Sequence, residues 1–257
     1  MEQLLQLLPT PESLTHKGTG GRVLVVGGSE IYTGAPVFAA KAALFTGSDY
    51  TYILHSSLAC DIKTFSPDFI VGNKNSSILS KKVSSILIGN GLSTDQEATD
   101  LFRLAVTKAK SEEIPLVIDA DGLVFAAKFL KTLPDGTILT PNRCEYERLL
   151  DRITEDNLDR FIVIIKGSCD VIKYRGNTIS VSDKGSIKRC SGIGDILAGV
   201  LVSLCTRSSD PEFVCETACR LVKQASNRAW EEHGYSMIAD DVLCALKSIV
   251  IEVSKSI

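Results

Sequence analysis

The chain has 257 residues, 44% hydrophobic and 23% charged, and a formal net charge of −3 at pH 7. This ordinary globular composition is long enough for one large α/β domain whose sheet is covered on both faces. It excludes a membrane span of the ~20 apolar residues required and shows no nucleic-acid footprint; eight scattered cysteines with no C-x-x-C pair read as reduced thiols ahead of a metal site, which argues against an oxidising compartment.

The start, Met1-Glu2-Gln3-Leu4-Leu5 followed by Pro9 and Pro11, is acidic and lacks the basic flank of a signal or transit peptide. A cytoplasmic protein is therefore expected. No internal repeat, low-complexity tract or linker interrupts the chain, so residues 1–257 are read as a single domain. Continuous apolar runs predict strands buried on both faces. They are Val23 to Val26, Thr51 to Leu54, Ser85 to Ile88, Leu116 to Ile118, Thr137 to Leu139 and Ile162 to Ile165. Between them, helices are expected over Ala35 to Phe45, Asp95 to Lys108, Asp121 to Leu130 and Asn142 to Leu149. Asp170 to Tyr174 and Asn177 to Ser182 read as a hairpin about Arg175-Gly176. Helices over Gly194 to Cys205, Pro211 to Glu232 and Asp240 to Val250 close the chain. Cys215 and Cys219, four apart, share a face of one of these and read as reduced, partly buried thiols. Strand–helix alternation predicts right-handed βαβ units in a doubly wound, mainly parallel sheet.

Ligands of such sheets bind beyond the carboxyl ends of the strands. Five strand ends carry unusual residues: Gly27-Gly28-Ser29, Gly89-Asn90-Gly91, Asp119-Ala120-Asp121, Thr140-Pro141-Asn142 and Lys166-Gly167. The most informative segment is Gly192-Ile193-Gly194-Asp195, ahead of an apolar helix. Two glycines at a helix start let a ligand approach the backbone, and the free N–H groups favour an anion. Two readings of Asp195 fit: an N-cap, or a general base beside an anion hole. Lys188-Arg189-Cys190-Ser191 either brings positive charge to phosphates or is a solvated basic run. Asp119 and Asp121 either hold Mg²⁺ or order water around phosphates, or cap the next helix. Asn142 and Glu145 fit a capping box, which explains them by stability alone. Walker A, G-x-G-x-x-G, G-x-S-x-G and H-E-x-x-H motifs are all missing, and there are only three histidines. P-loop, Rossmann dehydrogenase, serine hydrolase and zincin chemistries are excluded on that ground.

Taken together, several segments resemble the NAD(P)H-hydrate dehydratase family of the ribokinase-like superfamily. They are Gly21 to Ser29, Tyr32-Thr33-Gly34-Ala35-Pro36, Gly89-Asn90-Gly91-Leu92, Asp119 to Leu123, Thr140-Pro141-Asn142-x-x-Glu145-Tyr146, Lys166-Gly167, and Arg189 to Gly199. The likeness runs from about His16 to Asp240. It implies a ribokinase-like fold and a repair reaction. A nucleotide phosphorylates the C6 hydroxyl of hydrated NADH or NADPH, phosphate leaves, and the reduced cofactor returns. The resemblance further implies that Asp195 is the base and that Gly192, Ile193 and Gly194 supply the anion hole. Lys166, Gly167, Ser168, Cys169 and Asp170 would hold the nucleotide, together with Gly185, Ser186, Ile187, Lys188, Arg189, Cys190 and Ser191 and the anion-hole turn. Gly91, Ser93, Asn142, Arg143, Cys144, Glu145, Tyr146, Glu147 and Arg148, with Asp195, would face the hydrated cofactor. A dehydratase unit without an epimerase segment resembles the ATP-using branch, so ATP with Mg²⁺ is expected ahead of ADP.

The chain departs from the family pattern where Gly-x-Gly-Leu-Gly ends in Ser93, where Ser191 replaces a paired glycine, and where Ile193 replaces a polar residue. An amide donor survives each change. The alternatives are a vitamin-precursor or sugar kinase of the same superfamily, which shares G-x-G-D, and a nucleotide-binding protein that has lost its chemistry. No nucleic-acid or membrane partner is expected. The sequence is silent on oligomeric state and leaves a homo-oligomer open.

Overall fold

The expected apolar runs become the interior strands of one nine-stranded sheet, in a computed structural model that describes residues 2–10, 16–56, 60–152 and 155–256. Met1, Pro11 and the Cys60 side chain lie outside the described residues. The strands are β1 (Arg22–Val26), β2 (Tyr50–His55), β3 (Ile70–Asn73), β4 (Ser85–Ile88), β5 (Leu116–Ile118), β6 (Ile138–Leu139), β7 (Ile162–Ile165), β8 (Asp170–Tyr174) and β9 (Asn177–Val181). Their order is β3-β2-β1-β4-β5-β6-β7-β8-β9. The strands from β3 to β7 in that order pair in parallel, and β8 and β9 add antiparallel. The expected doubly wound sheet is therefore observed, with an antiparallel edge. Arg175 and Gly176 join β8 to β9 with φ of 46° and 78°, the left-handed pair a two-residue hairpin demands.

The helices are α1 (Glu2–Leu7), α2 (Gly34–Phe45), α3 (Gln96–Ser111), α4 (Gly122–Lys128), α5 (Arg143–Leu150), α6 (Glu155–Leu158), α7 (Ile193–Leu204), α8 (Pro211–His233) and α9 (Ala239–Ser254). Because side chains alternate along a strand, Val23 and Val25 enter one core while Leu24 and Val26 enter the other. The first core holds α2, α7, α8 and α9, and the second α3, α4 and α5. On the first face α2 and α7 come so close that a Cβ on Gly199 would lie 2.1 Å from the Ala39 carbonyl oxygen. The alanines of α2 and that glycine are what permit the approach.

Strand β3 and helices α1 and α6 were not expected. Strand β3 has only Ile70 and Val71 as apolar residues before Gly72, too few for a run, because it is an edge strand with Ile70 exposed. Helix α1 buries Leu4 and Leu7 against α8 and α9. The expected Asp121 to Leu130 helix ends earlier, at Lys128, and continues as a 3-10 turn over Leu130–Thr132. Among the described residues no helix is long and apolar enough to cross a membrane.

Strand β1 lies between β2 and β4, so the chain leaves it in both directions. This is the switch point at which open sheets form a crevice. The five unusual strand ends belong to β1, β4, β5, β6 and β7, which are consecutive in the sheet.

Candidate active site

Helix α7 begins with a turn that only glycine tolerates. Gly192 has φ of 101°, and a Cβ there would meet the Ala239 Cβ at 2.7 Å and Phe38 at 3.0 Å. No side chain caps this N-terminus, so its first amides stay open to a ligand. A Cβ on Gly194 would meet only the Lys166 Nζ, at 3.5 Å, so that glycine faces open space in front of a cation. Asp195 is the third residue of α7 and does not cap it; the N-cap reading is thereby corrected.

Asp195 belongs instead to a chain of polar groups drawn from four strand ends. The Asn90 Nδ2, after β4, donates to Asp195 Oδ1 at 2.6 Å and to Asp119 Oδ2 at 3.1 Å. Asp119, after β5 and almost fully buried, also accepts from Lys166 Nζ at 2.6 Å and from Thr140 Oγ1 at 2.8 Å. Burial pulls the Lys166 pKa down, but the charge and hydrogen bond of Asp119 outweigh it and the net shift is upward. Burial drives the Asp195 carboxyl up to about 7. The Asn90 hydrogen bond and Lys166 pull against that rise, while the charges of Asp119 and Asp121 add to it. A carboxylate poised near neutrality is suited to general-base work.

Beside this chain lies a cavity of about 520 Å³, the size of a nucleotide site. Of the residues expected at a nucleotide, Lys166, Gly167, Ser168, Asp170, Gly185, Ser186, Ile187, Arg189, Cys190, Ile193 and Gly194 line it. Cys169, Lys188, Ser191 and Gly192 do not. Lys188 turns away to donate to the Tyr235 and Met237 carbonyls at 2.7 and 2.8 Å. Asp170 is occupied too. Its carboxylate accepts from the Gly167 amide at 2.8 Å and faces Lys223 Nζ at 3.3 Å. Lys223 also donates to the carbonyls of Gly167 and Ser168 at 3.2 and 2.9 Å, so it clamps the loop after β7.

The matched family model is that of the NAD(P)H-hydrate dehydratases, over residues 23–248. The chain belongs to this family. Among curated relatives, the ATP-dependent (S)-NAD(P)H-hydrate dehydratase of Homo sapiens is 32% identical, across 95% of this chain and 82% of that one. The enzyme of the same name from Entamoeba histolytica is 30% identical, across 98% and 93%. Among solved structures, the ADP/ATP-dependent NAD(P)H-hydrate dehydratase of Bacillus subtilis, co-crystallised with ATP/Mg²⁺, superposes with a TM-score of 0.80. Its identity is 20%, over 98% of this chain and 96% of that one. A ribokinase-like superfamily protein of Enterococcus faecalis gives 0.84 at 19% identity, over 98% and 95%.

For a member of the dehydratase family, the other half of the rim needs placing. Gly91 is buried, with the Tyr32 Cβ and carbonyl oxygen 2.7 Å from where its Cβ would be. Ser93 has φ of 70° and donates its amide to Asp121 Oδ2 at 2.8 Å, so the family's glycine at this place answers a backbone demand. Asp121 therefore does not cap α4. Asn142 and Glu145 do form the capping box of α5, and of the stretch from Asn142 to Arg148 only Asn142 reaches the cavity. Arg143, Cys144, Glu147 and Arg148 are exposed, with Arg143 and Glu147 paired at 3.1 Å. Tyr146 is buried, and its hydroxyl accepts from Lys173 at 3.1 Å.

The site side chains that the sequence does not assign include Asn90, Thr140 and Lys223, with Leu197, Cys219, Val222 and Ser226 of the cavity wall. Asp119, for which the sequence leaves Mg²⁺, phosphate-ordering water or a cap open, instead pairs with Lys166. Asn90 sat inside a motif read for its glycines. Lys223 did carry a signal: it falls four residues after Cys219, on the buried face that Cys215 and Cys219 already marked.

Proposed function

We propose that the protein is an ATP-dependent repair dehydratase that returns hydrated NADH and NADPH to their reduced, unhydrated forms. The observation that carries this reading is Asp195. Its carboxyl sits near neutrality at the uncapped start of α7, between the nucleotide-sized cavity and the switch-point crevice. Curated relatives such as those of Homo sapiens and Entamoeba histolytica, named ATP-dependent, support ATP ahead of ADP as donor.

In this reading Asp195 takes the proton of the C6 hydroxyl, and that oxygen bonds to the γ-phosphorus as the bond to the β-phosphate bridging oxygen breaks. The ring nitrogen then expels phosphate from C6, and C5 gives up a proton to complete the dihydronicotinamide. Phosphorylation is needed because hydroxide is a poor leaving group. The amides of Gly192, Ile193 and Gly194 meet the charge on the moving phosphoryl group, with Lys166 opposite. Arg189 lies at the cavity mouth, and Ile187, Leu197 and Val222 give an apolar wall for the base. The hydrated nicotinamide approaches from the side of Gly91, Ser93 and Asn142.

Among the described residues no three His, Cys, Asp or Glu side chains gather as a metal cage, and both Asp119 oxygens are bonded. The donor set fits a Mg²⁺ that would arrive on the nucleotide phosphates, where one carboxylate suffices; Asp121, whose charge reaches Asp195, would be that one. When bound, the ion neutralises phosphate charge. The seven cysteines among the described residues whose state is defined are free thiols, which supports a reducing compartment such as the cytoplasm.

The test mixes purified protein with NADH hydrate, Mg²⁺ and either ATP or ADP, following reduced-nicotinamide absorbance and released phosphate. ATP-dependent recovery with one phosphate freed per ring is expected. A stable phosphorylated product instead would make the protein a small-molecule kinase. Nucleotide binding with no turnover would make it a binding protein.

A further inference from the structure

We infer that Asn90 is a positioning residue for this reaction: its carboxamide fixes Asp195 with Oδ1 engaged and Oδ2 free for the substrate hydroxyl, and couples Asp195 to the Asp119–Lys166 ion pair. The inference rests on the proposed role of Asp195 as base.

The geometry is specific. The Asn90 side chain is fully buried. Its main-chain carbonyl accepts from the Gly28 amide at 3.0 Å, and a Cβ on Gly27 would lie 2.3 Å from that oxygen. The backbone of Asn90 is thus pinned under the turn after β1, and its side chain has one direction left. Both acceptors of its Nδ2 are carboxylates. That settles which end of the amide faces them, since the carbonyl end would set oxygen against two anions. The cost falls on Asn90 itself, whose Oδ1 is buried with no hydrogen-bond partner. A carboxamide that leaves its own carbonyl unsatisfied while serving two acids is arranged for the acids rather than for its own stability. Among the described residues Asp195 Oδ2 has no protein partner, so the free oxygen is the one available to a ligand.

The charged groups facing Asp195 come from two neighbouring loops: Asp119 and Asp121 after β5, and Lys166 after β7. Two acids raise its proton affinity and one cation lowers it. Asn90 is the neutral donor on the lowering side. Without it, Asp195 keeps its proton to higher pH and its carboxylate is free to rotate.

The experiment compares kcat/KM against pH for the wild type, Asn90→Ala, Asn90→Asp and Asp195→Asn with NADH hydrate and ATP. In Asn90→Ala the acid limb moves up by about one pH unit, the size expected for one charge-assisted hydrogen bond. At pH 6.5 the rate then falls about tenfold, while above the new limb it rises to a plateau below that of the wild type, the difference being the cost of a freely rotating carboxylate. The isosteric Asn90→Asp sets a third acid against Asp195, beside Asp119 and Asp121, and moves the limb further up, and it keeps the inference testable if the alanine variant fails to fold. Limbs that stay at the wild-type pH in whichever of the two variants fold overturn the role of Asn90. An active Asp195→Asn enzyme overturns the base assignment itself, a different failure visible in the same data.

Discussion

Helices α5 and α7 both begin at the carboxyl edge of the sheet, and they treat their first turns in opposite ways. The start of α5 is closed by its own residues: Asn142 accepts from the Glu145 amide at 2.9 Å and Glu145 accepts from the Asn142 amide at 2.7 Å. The start of α7 is left open, with a left-handed glycine and no side-chain cap. A capping box is worth stability to the protein. Leaving four amides open on α7 forgoes it, which is reasonable only where an anion will take its place. On the proposed function, the contrast separates a helix start that serves the fold from one kept for a ligand.

The largest effect should come from the open turn. Asp195→Asn is expected to lose activity by on the order of 10²–10⁴-fold, yet to melt no lower than the wild type at pH 8. The sign follows from linkage. The folded carboxyl, near 7, holds its proton more tightly than the unfolded one near 3.8. Its contribution to stability is therefore complete at acid pH and is lost as pH rises through about 7, so a neutral amide removes the penalty. A fall in Tm at pH 8 would break this account. Gly194→Val comes next. Its side chain would enter the space before Lys166, and ATP affinity, measured by calorimetry, should weaken by at least about tenfold, with the fold intact.

At the closed turn the expected effects are smaller and of another kind. Asn142→Ala should cost ~1 kcal/mol of stability in denaturant titration. Asn142→Asp, an equally good cap, should restore the stability. An alanine variant as stable as the wild type would erase the distinction between the two helix starts. The smallest effect is expected at Ser93, whose left-handed backbone suits glycine: Ser93→Gly should stabilise by about 0.5 kcal/mol in the same titration.

The same contrast explains what was legible in the sequence. Strands such as Ser85–Ile88, the hairpin about Arg175-Gly176 and the open turn at Gly192 to Asp195 are local: their residue types act on their own backbone, so the chain spells them out. The capping box of Asn142 and Glu145 is equally local, and its presence accounts for those residues without a ligand. Asn90 and Lys223 act across the fold, on partners 29 to 105 positions away, and no spacing rule reaches that far. Lys188 and Tyr146 illustrate the converse. Each lies in a motif-rich stretch, but the direction of its side chain was set by distant neighbours, the Tyr235 and Met237 carbonyls in one case and Lys173 in the other. Strand β3 was missed because an edge strand need not be apolar.

The polar chain from Asp195 through Asn90 and Asp119 to Lys166 has a kinetic meaning. Its links span 105, 29 and 47 positions, so each closes a long loop whose entropy must be overcome before any contact repays it. The full chain cannot form before β4, β5, β6 and β7 lie in order and α7 has docked beside them. Secondary structure and hydrophobic collapse can be far advanced in a refolding chain that still has no poised carboxylate. Recovery of catalysis should therefore lag recovery of helical signal after dilution from denaturant, and the enzyme's own turnover becomes a reporter of the last contacts to close.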